Sequence, residues 1–109
     1  MGKFIIKTAK NGKYYFTLHS GNGEIILKSQ GYAGKKYCKK GIASVKKNAP
    51  DATKYIKGIS KNKKHFFNLK AGNQKIIGTS EMYESEKSVN TGITSVKRNA
   101  PTAATVMEE

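Results

Sequence analysis

One ten-residue stretch appears twice in this chain. Gly41-Ile-Ala-Ser-Val-Lys-Lys-Asn-Ala-Pro50 returns as Gly92-Ile-Thr-Ser-Val-Lys-Arg-Asn-Ala-Pro101, 51 positions later. Sliding the whole chain by 51 matches residues 4–58 to 55–109 and gives 22 identities, Asn11/Asn62, Phe16/Phe67, Leu18/Leu69, Ile26/Ile77, Ser29/Ser80 and Tyr32/Tyr83 among them. That is an internal duplication, and it reduces the folding problem to one unit used twice. A unit of about 50 residues buries little apolar surface alone. The two copies, 1–54 and 55–109, are therefore expected to share one core as a single domain.

Each copy changes period partway along. Phe4-Ile-Ile-Lys-Thr-Ala9 is an apolar, β-branched run closed by Lys10-Asn-Gly12, a two-residue hairpin signal that wants positive φ at both Asn and Gly. Lys13-Tyr-Tyr-Phe-Thr-Leu-His19 follows, with Phe16 and Leu18 on one face and Tyr15, Thr17 and His19 on the other. Gly21-Asn-Gly23 turns the chain into a third strand, Glu24-Ile-Ile-Leu-Lys28. Cys38, Ile42, Val45 and Ala49 then recur at helical steps, predicting a helix over Lys35–Asn48 with Asn48 near its C-cap and Pro50 ending it. Gly41, and Gly92 in the second copy, imply that each helix lies close on the sheet. The second copy repeats the scheme, with its helix over 87–99 and Val89, Ile93, Val96 and Ala100 inward. Ala103-Ala-Thr-Val-Met107 aligns with the start of the strand that follows the first helix, so a last strand is expected to pair with the other copy's sheet. Asn11, Asn62, Gly21 and Gly72 read as turn formers, Ser29 and Ser80 as caps at the strand-to-helix joint, and Tyr32 and Tyr83 as rings buried at that joint with wet hydroxyls.

Several of these residues carry a resemblance. Tyr14-Tyr-Phe-Thr-Leu18 with Gly21-Asn-Gly-Glu-Ile-Ile26, Ser29 with Tyr32, and Gly41-Ile-Ala-Ser-Val45 with Asn48 resemble the bacterial UPF0339 family, built from tandem copies of the DUF1508 domain. So do Phe66-Phe-Asn-Leu-Lys-Ala71, Ile76-Ile-Gly-Thr-Ser80, Met82-Tyr83 and Gly92-Ile-Thr-Ser-Val-Lys97. The resemblance implies an α+β fold: two tandem β3-α-β repeats forming one antiparallel sheet, two helices packed on one face, and C-terminal strands exchanged between repeats. It also implies that single-copy relatives assemble the same fold as dimers. No activity comes with the resemblance, hence no catalytic residue.

Chemistry is sparse. Ser44-Val-Lys-Lys47 has the Ser-x-x-Lys spacing of acyl-enzyme hydrolases but lacks the partner motifs, and its copy ends in Arg98. His19 and His65 align with Lys70 and Tyr14, so they form no repeated pair. Cys38, the only cysteine, sits on the core side of the helix and reads as a small buried hydrophobe. The seven carboxylates show no paired acid and base. The expectation is a protein that is not an enzyme and has no cofactor and no metal. The apolar runs are too short for a membrane span or a signal peptide, and the lone cysteine suits a reducing compartment, so a cytoplasmic chain is expected, monomeric with internal pseudo-two-fold symmetry.

Charge is the remaining clue. Lys and Arg number 21 against 7 acids, a net +14. Residues 1–54 hold 12 lysines against Glu24 and Asp51, a net +10, whereas 55–109 hold nine cations against five acids, a net +4. The excess concentrates on the first helix, where Lys35, Lys36, Lys39, Lys40, Lys46 and Lys47 cover the arc away from Cys38, Ile42 and Val45. Because the copies differ mainly there, the fold does not demand it. The favoured expectation is a binding module for polyanions such as nucleic acid, contacting them through that helix without sequence preference. Tyr15 and Phe66, on the sheet face opposite the helices and near Lys13 and Lys70, are candidate stacking contacts. The rival expectations are an adaptor that docks an acidic protein through the helices or the sheet edge, and a housekeeping stress protein with no avid ligand.

Overall fold

A computed structural model describes residues 2–108. Each repeat opens as a three-stranded meander: β1 (Lys3–Thr8), β2 (Tyr14–His19) and β3 (Ile25–Lys28), then β4 (Tyr55–Ile59), β5 (His65–Lys70) and β6 (Ile76–Thr79). A 14-residue helix follows each, α1 (Lys35–Asn48) and α2 (Glu86–Asn99). A single 3-10 turn follows each helix, three residues after α1 and directly after α2, and β7 (Ala104–Met107) is the last strand.

All strands join one sheet in the order β4-β5-β6-β3-β2-β1-β7. The α+β architecture of two β3-α-β repeats in one sheet is therefore present. Five of its six pairings are antiparallel, but β1 and β7 run parallel, with Phe4 opposite Thr105 and Ile6 opposite Met107. The expectation of a wholly antiparallel sheet is corrected at that edge. Hairpin loops force neighbours to reverse, whereas β7 arrives through α2 and is free to run either way. The strand exchange is also one-sided. Only β7 crosses to the other repeat, because the strand that follows α1 is β4 itself, the first strand of the second repeat.

Register shows which face is covered. Ile56, Asn68, Thr79, Lys28, Thr17, Ile5 and Val106 form one cross-strand row on the open face. Alternation sends Phe16 and Phe67 to the other face, where Phe16 lies against Gly41 of α1 and Phe67 against Gly92 of α2. Both helices thus cover the same side. The core between the layers contains Phe4, Phe16, Leu18, Leu27, Phe67 and Leu69, all at or below 1% exposure, with Cys38, Val45, Val89 and Val96 from the helices. Leu27 and Gly78 occupy equivalent positions in the repeats and meet across the β3–β6 contact. A methyl on Gly78 would sit 2.6 Å from Leu27 Cδ2. Two leucines would collide there, so the large residue of one copy fills the space left by the small residue of the other.

The hairpin loops differ from the expected two-residue turns. Ala9 N–H donates to Lys13 O and Gly12 N–H to Ala9 O, so the loop holds three residues and Gly12 alone takes positive φ, at 81°. This is a type I turn followed by a left-handed residue, the usual three-residue hairpin loop. It recurs at Gly23, Lys63 and Gln74, with φ of 89°, 63° and 72°. The left-handed residue is thus Gly12 and Gly23, not Gly21 or Gly72. Asn11, Asn22 and Asn73 each accept from the backbone two residues on, at 3.0, 3.1 and 3.1 Å. Lys63 and Gln74 hold the left-handed conformation with a side chain attached, which costs about 1 kcal/mol relative to glycine. Lys63→Gly and Gln74→Gly are each expected to raise the unfolding free energy, measured by chemical denaturation, by about 0.5 kcal/mol net of the added unfolded-state entropy. No gain in either variant would show that the loops relax the strain in another way.

One capping expectation holds and one is corrected. Asn48 ends α1 beside the C-cap Ala49, which is in right-handed helical conformation, and the Asn48 side chain donates back to Ser44 O at 2.8 Å. Ser29 caps no helix. Its hydroxyl accepts from Phe16 N–H at 2.9 Å and donates to Gln30 O at 2.8 Å, prolonging the β2–β3 pairing, and Ser80 does the same for Phe67 and Glu81.

Candidate polyanion-binding surface

Helix α1 begins at Gly34 with extended backbone, no side-chain cap and no acid in its first turn. Lys35 and Lys36 stand there instead, next to the positive end of the helix dipole. Lys35 with Lys39, and Lys36 with Lys40, are also like charges at i and i+4. Each arrangement costs the helix a few tenths of a kcal/mol. By contrast, α2 is capped by the Ser85 hydroxyl, which accepts from Ser88 N–H at 3.1 Å, and carries Glu86 where α1 has Lys35. The first half of α1 therefore bears lysines against the helix's own stability, whereas Lys46 and Lys47 in its last turn suit the dipole, and Cys38, Ile42 and Val45 hold it on the sheet.

The six lysines divide into two lines. Lys36, Lys40 and Lys47 lie exposed on the outermost line. Lys35, Lys39 and Lys46 lean toward β7. Lys39 and Lys46 flank a groove of about 420 Å³ floored by Ile6, Ile42 and Met107, and Lys46 Nζ lies 5.8 Å from the centre of the Phe4 ring. Among the described residues none of the six has a carboxylate within 4.0 Å. The ion pairs lie elsewhere: Lys7 with Glu108 at 3.4 Å, Lys28 with Glu81 at 2.9 Å, Lys57 with Glu86 at 3.2 Å, and Lys64 with Glu84.

Folding adds two residues that sequence reasoning missed. Tyr37 is 53% exposed on α1, with Lys40 Nζ 5.9 Å from its ring centre. Lys75, from the turn between β5 and β6, faces Tyr37 and Lys40 across a cleft of about 470 Å³. Tyr37 was findable, since it sits on α1 away from Cys38. Lys75 was not, because it joins α1 only through the pairing of β3 with β6.

Tyr15 and Phe66 do lie on the open sheet face, opposite Lys7 and Gly58 in register. They belong to strands three spacings apart, about 14 Å, so they form no common platform. Each is half-buried over a glycine, Tyr15 against Gly31 and Phe66 against Gly58. Covering the sheet is the role their contacts show.

Other titratable groups are tied into the fold. Burial pushes the Cys38 thiol up, away from the thiolate form, and its side chain is fully covered. Burial likewise pushes up the Tyr32 phenol, with Cys38 adding to the effect, and the Tyr83 phenol, with Glu81 and Glu24 adding to it. His19 bridges Thr17 Oγ1 at 2.9 Å and Gly23 O at 3.1 Å within its hairpin. Among the described residues no three His, Cys, Asp or Glu side chains converge as metal ligands, and no helix is long and apolar enough to cross a membrane.

A seven-stranded sheet doubled from β3-α-β units, covered on one face by two unlike helices, defines a tandem-repeat α+β protein with a shared core. The chain belongs to the DUF1508 family, described as a domain of unknown function, whose model matches twice, at residues 9–55 and 60–106. It is 51% identical over 102 residues to a UPF0339 protein of Acinetobacter baylyi, covering 94% of this chain and 92% of that one. The solution NMR structure of a UPF0339 protein from Shewanella oneidensis matches with TM-score 0.91 at 42% identity, over 97% of this chain and 90% of that chain. That of YegP from Escherichia coli, described as a protein of unknown function, matches with TM-score 0.93 at 42% identity, over 98% and 92%.

Proposed function

We propose that this protein is a non-enzymatic module of the cytoplasm that binds the phosphate backbone of nucleic acid through α1, without reading its sequence. One observation supports the reading above the rest: six lysines crowd one helix, four of them in its first half where the dipole and like charges oppose them, and among the described residues no carboxylate lies within 4.0 Å of any of the six. Lysine suits this task because a compact ammonium binds phosphate as a point charge and does not discriminate base edges. Lys75 widens the surface beyond the helix, and Tyr37 adds an exposed ring on it. The non-enzymatic part rests on a buried thiol, a histidine held in its hairpin and acids of which Glu81, Glu84, Glu86 and Glu108 are paired with lysines.

The test is a binding titration with a fluorescent oligonucleotide at two salt concentrations. If all six lysines contact phosphates, the logarithmic salt slope should approach −5 on duplex DNA, by the rule of roughly −0.9 per contact. The triple variant Lys36→Glu, Lys40→Glu and Lys47→Glu should lose about a hundredfold or more in affinity at low salt. A charge-matched control, Lys10→Glu, Lys61→Glu and Lys87→Glu, should lose about tenfold or less. Equal losses would remove α1 as the site. No salt-dependent binding by the unaltered chain would remove the function.

A further inference from the structure

Counted outward from the β3–β6 contact, the sheet reads β3-β2-β1-β7 on one side and β6-β5-β4 on the other. The repeats match strand for strand except at the end. β1 has a parallel neighbour on its outer edge, and β4, the same strand in the second repeat, has none among the described residues. The duplication explains the difference, since the chain after α1 is already committed as β4.

The seated strand shows what such an edge accepts. β7 places Thr105 opposite Phe4, Val106 opposite Ile5 and Met107 opposite Ile6. Beyond them Glu108 N–H donates to Ile6 O at 2.9 Å, and the Glu108 carboxylate pairs with Lys7 at 3.4 Å. At the end of this strand Met107 and Glu108 wall a recess shared with Lys7, Tyr14 and Lys35. The corresponding recess on β4, about 200 Å³ beside Gly58, His65 and Glu86, has no such wall. Ile56 and Ile59 on β4 are 45% and 67% exposed. One substitution changes the chemistry of the edge: Lys57 stands where β1 has Ile6, so the position that packs Met107 in the first repeat presents in the second an ammonium group that is held by the exposed Glu86 at 3.2 Å and that an incoming carboxylate would share with it.

We propose that the outer edge of β4 captures an extended acidic segment of another protein by strand addition, parallel to β4 in the register that β7 takes on β1. The backbone of β4 supplies the hydrogen bonds, as in other sheet-edge recognition. A small β-branched residue lies opposite Tyr55, a second opposite Ile56, and a carboxylate opposite Lys57. A second copy of this chain is the wrong occupant. Its β7 is already seated on its own β1, and pairing two β4 edges would bring the Lys54 and Lys57 side chains of two molecules of net charge +14 together. Edge lysines oppose self-pairing of this kind while leaving the edge open to an acidic strand. This site uses only the second repeat and is separate from the α1 surface.

The experiment is an amide NMR titration of the full ¹⁵N-labelled chain with a synthetic peptide of residues 103–108 carrying Met107→Glu. Shifts confined to residues 54–59 and their β5 partners are expected. Methylating the peptide nitrogens that face β4 should weaken binding roughly tenfold or more, since each lost backbone hydrogen bond is worth about a factor of ten. Lys57→Glu in the protein should weaken it by about tenfold. Shifts centred on residues 3–7 would mean that the peptide displaces β7, and shifts on α1 would mean mere charge attraction. Either result, no shift, or equal binding of a scrambled peptide would overturn the proposal.

Discussion

Cut after Lys54, the protein is expected to give two fragments that are each largely unfolded and that fold together when mixed. Neither half keeps its core. Without residues 55–109, α1 loses β5, β6 and the turn Ala100–Thr102 against which it packs, and β1 loses β7. Without residues 1–54, α2 loses β3, and β7 has no strand to join. Leu27, fully buried against Gly78, would be exposed at the cut face, and uncovering such a side chain costs about 1.5–3 kcal/mol, a sizeable part of a small domain's total of about 5–15. Mixing should yield a 1:1 complex in preference to either fragment paired with itself. Two copies of the first half would set Leu27 against Leu27, and two copies of the second would leave a void at Gly78. Circular dichroism and dispersion of amide resonances, measured for each fragment and for the mixture, decide it. A stable, dispersed monomer from either fragment would refute the shared core.

The second large effect is expected at Gly41 and Gly92. By propensity alone, glycine to alanine within a helix adds about 1 kcal/mol of stability. Here the added methyl has no room. At position 92 it would lie 2.6 Å from Tyr83 Oη and 3.1 Å from Phe67 Cε2. At position 41 it would overlap the Tyr32 hydroxyl and lie 3.2 Å from Phe16 Cε2. Phe16 and Tyr32 stack at 6.2 Å with their planes 14° apart, so neither ring can retreat without disturbing the other. Overpacking of about 1–3 kcal/mol should exceed the propensity gain, lowering the melting temperature by several degrees per site. Tyr32→Phe removes the nearest atom and should restore part of the loss in Gly41→Ala. An alanine variant as stable as the parent would show that the helices have more clearance than these contacts allow.

Both expectations begin in the duplication, and their fates show which features were legible. The apolar steps of Cys38, Ile42, Val45 and Ala49 located α1 at Lys35–Asn48, as observed. The alternation of Phe16 and Leu18 against Tyr15 and Thr17 assigned the two sheet faces correctly. The repeated Gly41 and Gly92 announced the close approach of helix to sheet, but not the tyrosines that enforce it. Asn11-Gly12 carries the signature of a two-residue turn, but composition alone does not distinguish that turn from a three-residue loop with a single left-handed position. The closing hydrogen bond from Ala9 to Lys13 makes the difference. The α1 lysines were visible as a charged arc, whereas Tyr37 escaped notice and Lys75 lay 35 positions beyond Lys40.

Periodicity and self-similarity are local or simply repeated properties, so the chain alone determined its elements, the faces they bury and the doubling of the unit. Direction and adjacency of distant strands are not local. That β7 lies parallel on β1, that Leu27 meets Gly78, and that β4 keeps an open edge followed only from the packing of the two copies. A duplicated unit has one strand fewer than a symmetric sheet requires, and only the assembled fold determines which edge goes without.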